Sequence, residues 1–122
     1  MQTQGMQQSW ADITAFYRQH RFDDEAFQSA FAGVAQVAAL ISDGPLGTML
    51  FGWTSMHDLC IQQSDAHPQT APYLRISPLR SGLVDFRYID TPIAERQWQR
   101  LVAPGAACER LTAFLARLRW TA

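Results

Sequence analysis

The amino-acid sequence predicts a single α+β domain, with two N-terminal helices, an antiparallel meander of three or four strands, and two C-terminal helices packed on the sheet. Apolar residues recur at the helical period of about 3.6 residues in the first and last thirds of the chain, and they alternate in the middle third. The strand-like segments follow one another directly, which favours an α+β layer over alternating βαβ units. The chain of 122 residues shows neither repeats nor a linker. We therefore expect one domain, residues 9–122, behind a flexible polar tail, residues 1–8.

The first two helices are indicated by their N-terminal signals. Ser9 is a typical N-cap residue and is followed by an acidic residue three positions later, in a capping-box pattern. A second helix is expected to start after Asp23 as its N-cap, with Phe22 packing on Phe27 as a hydrophobic staple. The glycine and proline of residues 42–45 then end this helix.

Strand-like alternation begins in residues 49–53. A three-residue loop, residues 54–56, would pair Phe51 with Leu59 and so keep apolar residues of both strands on one face. Residues 56–63 could also form a helix, with a serine as its N-cap. We predict a strand for this segment.

The clearest hairpin lies in residues 73–90. A loop of residues 80–82 places Gly82 at the left-handed position that three-residue hairpin loops need. The register that follows pairs Ile76 with Phe86 on one face. A two-residue loop would put the apolar residues of the two strands on opposite faces, so the pattern selects the three-residue form.

Two helices are expected after the hairpin. The first would span residues 91–102, with Thr91 as N-cap and Pro92 in its first turn. Residues 103–105 end it, and residues 106–120 form the last helix with one apolar stripe. Four residues of the first of these helices would face the core: Ile93, Trp98, Leu101 and Val102.

The composition excludes several kinds of chemistry. All ten basic residues are arginine, and the chain contains neither lysine nor asparagine, which is typical of GC-rich, bacterial-like codon usage. Without lysine the protein cannot form a Schiff base with pyridoxal phosphate or use a P-loop lysine. No phosphate loop, zinc-protease motif or nucleophile elbow is present. We therefore expect no cofactor and no bound metal.

The charge is small in total and uneven along the chain. A net charge of −1 gives no reason to expect nucleic acid or an anionic membrane as a partner. Residues 1–66 hold two arginines against seven acids, a charge of −5, and residues 67–122 hold eight arginines against four acids, a charge of +4. The basic half would face the acidic half of its own chain, a second copy, or an acidic partner.

Targeting signals are not evident in the sequence. The polar N-terminal segment lacks the basic and apolar regions of a secretory signal. The longest nearly apolar run, residues 30–41, is much shorter than the ~20 residues of a membrane span. Two distant cysteines do not indicate a disulfide framework. A cytoplasmic location is therefore expected.

The segment GWTSMHDLC brings together several reactive side chains. If it is extended, His57 and Cys60 point to opposite faces and form no catalytic pair, and Trp53 lies beside His57. If it is helical, His57 and Cys60 share a face and could act as a thiolate–imidazole pair or, with Asp65 and His67, as metal ligands. The extended form favours a packed histidine and a buried thiol.

A group of arginines forms the second candidate site. The hairpin register places Arg75 opposite Arg87, a like-charge pair that a nearby carboxylate, Asp85, would stabilise. Three further arginines would extend the pair into a surface for a carboxylate-rich protein: Arg80, Arg96 and Arg100.

Two tryptophans lie near the chain termini. Trp10 and Trp120 would either fold back onto neighbouring helices or remain exposed as anchors for a partner or a dimer. The leading hypothesis is a small protein-binding module, such as an adaptor, an immunity-type or a chaperone-like protein. Such a module would bind another protein or a second copy of itself, without catalysis. The alternative is a small-molecule pocket or minor enzyme between sheet and helices, which would use Trp53, His57, Asp58, Cys60 and Tyr88.

Overall fold

The computed structural model describes residues 8–64 and 71–121. In these ranges the chain forms three α-helices, and the five strands form one antiparallel meander in the order β1-β2-β3-β4-β5. None of the three helices combines the length and the hydropathy of a membrane-spanning segment. The elements are α1 (Trp10–Gln19), α2 (Glu25–Asp43), β1 (Phe51–Ser55), β2 (Asp58–Gln62), β3 (Tyr73–Pro78), β4 (Val84–Ile89), β5 (Trp98–Val102) and α3 (Ala107–Arg117).

The α+β class and the antiparallel meander are confirmed, while the predicted numbers of elements are wrong. The described residues form five strands instead of three or four, and one C-terminal helix instead of two. Most of the predicted tail, residues 1–7, lies outside the described residues. Gln8, its last residue, forms a β-bridge with Gly52 on the outer side of β1.

The hydrophobic core lies between one face of the sheet and the helices. Leu59, Ile76 and Phe86 are aligned across the three central strands and are fully buried. The ring of Phe86 contacts Phe114 of α3 at 5.1 Å. We call this side of the sheet the core face. The strand side chains at the alternate positions point to the opposite side of the sheet, which we call the second face. This face carries Arg75 and most of the other polar residues of the strands.

Both N-terminal helices begin at capping residues. The Ser9 hydroxyl accepts the N–H of the third following residue, as predicted. The cap of α2 is Asp24 instead of Asp23, since the Asp24 carboxylate accepts the N–H groups of the next turn. The Phe22 N–H donates to the Gln28 side chain, and Asp23 stays exposed outside the helix. The predicted contact between Phe22 and Phe27 is present, with ring centroids 4.8 Å apart.

The predicted three-residue loop between β1 and β2 is wrong. β1 continues to Ser55, which pairs with Asp58 across a two-residue turn. Met56 in that turn has a φ of 57°, in the left-handed region that such tight turns require. The observed register differs from the predicted one by an odd number of residues. Trp53 therefore points to the second face instead of the core face. Gly52 is on the core face instead. A larger residue would not fit at this position, because its Cβ would lie 2.6 Å from the Trp10 ring of α1.

The hairpin of β3 and β4 forms as predicted. Leu79 donates its N–H to the carbonyl of Leu83, and Gly82 has a φ of 93°. Ile76 lies opposite Phe86 in the predicted register. The loop chemistry and the apolar pattern therefore agree with the observed pairing.

The helix predicted for residues 91–102 is wrong. Residues 94–96 form only a 3-10 turn, and Trp98–Val102 is the edge strand β5. Ile93 is 38% exposed and Leu101 is 58% exposed, whereas both were expected to face the core. Trp98 and Val102 do pack on the core, since a spacing of four residues also returns to the same face of a strand.

The C-terminus of α3 explains why Trp120 is buried. The N–H of Trp120 bonds to the carbonyl of Leu115, five residues earlier, and Arg119 has a φ of 62°. This is a Schellman ending, in which the residue after the left-handed position packs back on the helix. Trp120 is accordingly only 7% exposed, and its ring packs against Tyr88.

We expect Arg119→Gly to raise the free energy of unfolding by about 0.5–1 kcal/mol, because glycine adopts the left-handed conformation without steric penalty. Arg117→Gly is the matched control, since it makes the same chemical change in the helical last turn of α3. Glycine at that position should lower stability by about 0.5–1 kcal/mol. Urea denaturation of both variants measures the two effects. A shift of the same sign in both would contradict this explanation.

Candidate functional site

The structure separates His57 from the reactive residues that precede and follow it in the sequence. His57 lies in the β1–β2 turn, edge-on to Phe22 at 5.0 Å and to Phe27 at 5.6 Å. The strand predicted for residues 56–63 is confirmed for Asp58–Gln62, and Cys60 lies on the second face. His57 and Cys60 therefore form no catalytic pair.

Cys60 is a fully buried thiol between the strands that flank it. It is opposite Trp53 in β1 and Arg75 in β3. Burial raises the pKa of Cys60 to about 12, Asp58 adds to the increase, and the nearby arginines oppose it. The group is thus protonated at neutral pH and is a poor nucleophile or metal ligand.

The other residues predicted for a small-molecule pocket do not converge either. Trp53 packs against Tyr73 of the second face, with ring centroids 5.4 Å apart and the ring planes tilted by 49°. Tyr88 lies on the core face and stacks on Trp98 at 5.8 Å. Asp65 and His67, the proposed additional metal ligands, lie outside the described residues. Within the described ranges no three His, Cys, Asp or Glu side chains are grouped as a metal site.

The opposed arginines of the hairpin are both paired with carboxylates of the second face. Arg75 binds Asp58 through Nε at 2.7 Å. Arg87 lies 3.5 Å from Asp85, which also accepts two bonds from the Gln99 amide. Asp85 had been expected to stabilise the pair, but Asp58 neutralises Arg75. Two of the arginines that were predicted to bind a partner are therefore neutralised by carboxylates of the same chain.

The remaining predicted residues lie on separate surfaces. Arg80 is exposed at the tip of the β3–β4 loop, and Arg96 is exposed in the 3-10 turn before β5. Trp10 is partly buried and donates its indole N–H to the carbonyl of Leu50 at 3.0 Å. With Trp120 also packed on the core, both terminal tryptophans fold back. They are not available as exposed anchors.

Arg100 lies at a small cleft between β5 and α3. The other residues of this cleft were not predicted to belong to a functional site. Arg100 lies over the Trp98 ring at 5.6 Å, and Arg110 lies over the Phe114 ring at 5.2 Å. The two rings are 5.0 Å apart. Arg117 lines the same small cleft, whose volume is about 40 Å³. We call these five residues the arginine–aromatic cleft.

The arginines of this cleft form no ion pair with a carboxylate of the described residues. Within residues 8–64 and 71–121, the ion pairs of the structure involve only Arg75 and Arg87. The spacing of Arg110 and Phe114, four residues apart on a helix, is visible in the sequence. Their proximity to Arg100 is not, because it requires residues 98–102 to be a strand.

The cleft lies beside a strand edge that has no neighbouring strand among the described residues. The hydrogen bond from the Leu79 N–H to the Leu83 carbonyl makes these two residues a hydrogen-bonded pair of the β3–β4 ladder. Every second residue of β4 counted from Leu83 therefore bonds to β3. The residues between them, including Phe86, direct their backbone N–H and C=O groups to β5. Consequently Gln99 and Leu101 direct their backbone N–H and C=O groups away from the sheet. Among the described residues, these groups meet only the Arg100 side chain, which donates to the Gln99 carbonyl at 2.8 Å.

The opposite edge of the sheet is covered. The N–H of Gln8 donates to the Gly52 carbonyl at 2.9 Å. The side-chain oxygen of Gln8 accepts the N–H of Thr54 at 2.6 Å. Of the two sheet edges in the described chain, β5 is therefore the more open one.

A cavity of about 440 Å³ lies apart from this edge, where the α1–α2 loop meets the β1–β2 and β3–β4 turns. His57 and Arg80 both line it. Comparison of the chain with models of known protein families, with curated proteins and with solved structures finds no match. The chemistry of the β5 edge and of this cavity therefore carries the functional argument.

Proposed function

We propose that this protein binds another protein by accepting an extended, carboxylate-rich segment as a sixth strand along β5. The observation that carries the proposal is the position of the arginine–aromatic cleft directly beside a free strand edge. The outward N–H and C=O groups of Gln99 and Leu101 can bond to an added strand, which is a recurrent mode of peptide recognition. The protein would then act as a binding module.

The charge of the cleft selects an acidic partner. Three guanidinium groups lie over or beside two aromatic rings. Like charges gathered at one cleft are unfavourable unless an anion offsets them. A carboxylate can form paired hydrogen bonds with a guanidinium group. Side chains of an extended segment alternate between the two faces of the sheet. Acidic residues at every second position would therefore meet Arg100 and its neighbours.

The bond between Arg100 and the Gln99 carbonyl makes the edge selective. A charged side chain on an edge strand is a common defence against unwanted strand pairing. An acidic segment draws the Arg100 guanidinium toward its carboxylate and frees the Gln99 carbonyl for backbone pairing. A neutral or basic segment does not. Pairing of two β5 strands from two copies would bring their arginines together, so self-association at this edge is opposed.

A synthetic octapeptide with alternating glutamate and valine tests the proposal. Titration into ¹⁵N-labelled protein should shift the backbone amide signals of Gln99 and Leu101 and slow their hydrogen exchange. The affinity should fall as salt is added, because ionic contacts at an exposed surface are screened. A peptide with lysine in place of glutamate is the matched probe and should not bind. Equal binding of both peptides would refute the proposed selectivity.

Two sets of variants separate the charge from the backbone contribution. Arg100→Glu with Arg117→Glu should weaken binding of the glutamate peptide by more than about tenfold, since each lost ionic hydrogen bond contributes about 1.5–3 kcal/mol. Arg18→Glu with Arg21→Glu makes the same change of charge on exposed residues of the acidic half and should leave binding unchanged. Leu101→Pro removes one outward N–H without changing charge and should also weaken binding. Full affinity in the first double variant would exclude the cleft as the site.

A further inference from the structure

The floor of the 440 Å³ cavity is aromatic. The rings of Phe22 and Phe27 meet edge to face, with an angle of 87° between their planes. The imidazole of His57 is edge-on to both rings. Phe31, which is fully buried, supports the three rings from below. The volume lies within the range of about 300–1,000 Å³ that is usual for ligand sites.

The rim of the cavity carries an anion, Asp23, and a cation, Arg80. The carboxylate of Asp24 also borders it but is engaged as the N-cap of α2. Asp23 and Arg80 are exposed and take part in no ion pair within the described part of the chain. Opposite charges that are not paired with each other, above an apolar floor, are complementary to a ligand that carries both charges and an apolar group.

Met56 stands beside this rim in an unfavourable conformation. Its φ of 57° is rare for a residue other than glycine, and its side chain is 85% exposed. Strained residues of this kind cluster at ligand clamps and switch regions. The long thioether side chain adapts its shape to aromatic surfaces. It can therefore close over a group that rests on Phe22 and Phe27.

We infer that this cavity binds a free amino acid with an aromatic or large aliphatic side chain. The side chain rests on the aromatic floor under Met56. The ammonium group pairs with Asp23, and the carboxylate pairs with Arg80. This inference is independent of the proposed strand binding at β5, since the two sites share no residue.

Titration with phenylalanine and its fragments tests the inference. Calorimetry with L-phenylalanine should show binding to one site, and the ring proton signals of His57 should shift. Phenethylamine lacks the carboxylate and 3-phenylpropionate lacks the ammonium group, so each should bind at least about tenfold more weakly. Glycine lacks the side chain and should not bind. Absence of phenylalanine binding, or equal binding of either fragment, would overturn the inference.

Charge-neutralising variants locate the ligand. Asp23→Asn and Arg80→Gln should each weaken phenylalanine binding by about tenfold. Asp43→Asn, at the far end of α2, and Arg96→Gln, at the opposite end of β4 from Arg80, are the matched controls and should bind as the parent protein does. Equal losses in the site variants and their controls would contradict the assignment.

Met56→Gly separates a ligand-binding role from a structural one. Glycine relieves the left-handed strain, so the Tm should rise. The same variant loses the side chain that covers the ligand, so the affinity for phenylalanine should fall. A purely structural residue would change stability and leave the affinity unchanged, and that result would remove Met56 from the site.

Discussion

Phe31→Ala is expected to lower the free energy of unfolding by about 3–5 kcal/mol, the range for deletion of a buried aromatic side chain. Phe31 is 1% exposed and lies at the centre of a ring cluster that joins α1 and α2 to the β1–β2 turn. Its ring centroid is 5.0 Å from Tyr17 and 4.9 Å from Phe22. Removal of the ring leaves a cavity that these anchored side chains cannot fill. Urea denaturation, followed by fluorescence and circular dichroism, measures the loss.

Phe51→Ala provides the matched control for this loss. Phe51 is 40% exposed on the edge strand β1 and lies outside the core cluster. The same truncation there should lower stability by less than about 1.5 kcal/mol, because little apolar area returns to water. Equal effects at the two positions would show that the ring cluster around Phe31 is not central to the fold. Phe31→Leu preserves most of the volume and allows the cavity above it to be tested in a folded protein.

The β3–β4 hairpin was predictable because its determinants are local. Gly82 supplies the left-handed position of the loop, and the apolar residues on both sides select one register. The start of α1 was predictable for the same reason, since its capping bond spans three residues from Ser9. Short-range chemistry of this kind can be read directly from the chain.

The β1–β2 register depends on contacts that are distant in sequence. Gly52 faces the core because Trp10, far away along the chain, packs on the strand backbone at that position. Met56 adopts a left-handed conformation that its own side chain disfavours. Nothing local therefore indicates the two-residue turn. The error in register moved Trp53 to the wrong face and obscured the cavity beside His57.

Residues 98–102 illustrate the same difficulty with a functional consequence. Thr91 and Pro92 form a normal helix-start signal, and the spacing of Trp98 and Val102 fits both a helix and a strand. The edge of β4 decides between them, because it offers backbone partners from Val84 to Tyr88. Only as a strand does this segment bring Arg100 to α3. The arginine–aromatic cleft therefore could not be predicted from the sequence.

Cys60 should react with iodoacetamide at pH 8 on the order of a thousandfold more slowly in the folded protein than in urea. Burial raises its pKa to about 12, whereas a free cysteine titrates near 8.5, so very little thiolate is present at pH 8. Fully buried between its flanking strands, the sulfur is also inaccessible to the reagent. A Cys108→Ser background isolates this thiol, and mass spectrometry follows the labelling. Cys60→Ser isolates Cys108, which is only partly buried and should label first.

The pH profile of this reaction distinguishes a raised pKa from simple inaccessibility. In the unfolded chain the rate should level off above about pH 9, as the thiol becomes fully ionised. In the folded protein it should continue to rise about tenfold per pH unit through pH 10, since the pKa of about 12 is not yet reached. Labelling as fast as that of the unfolded chain would show that the thiol is accessible and that its pKa is not raised. A plateau near neutral pH would instead identify Cys60 as an activated nucleophile. That outcome would restore the enzymatic alternative and require His57 or another base to approach the second face of the sheet.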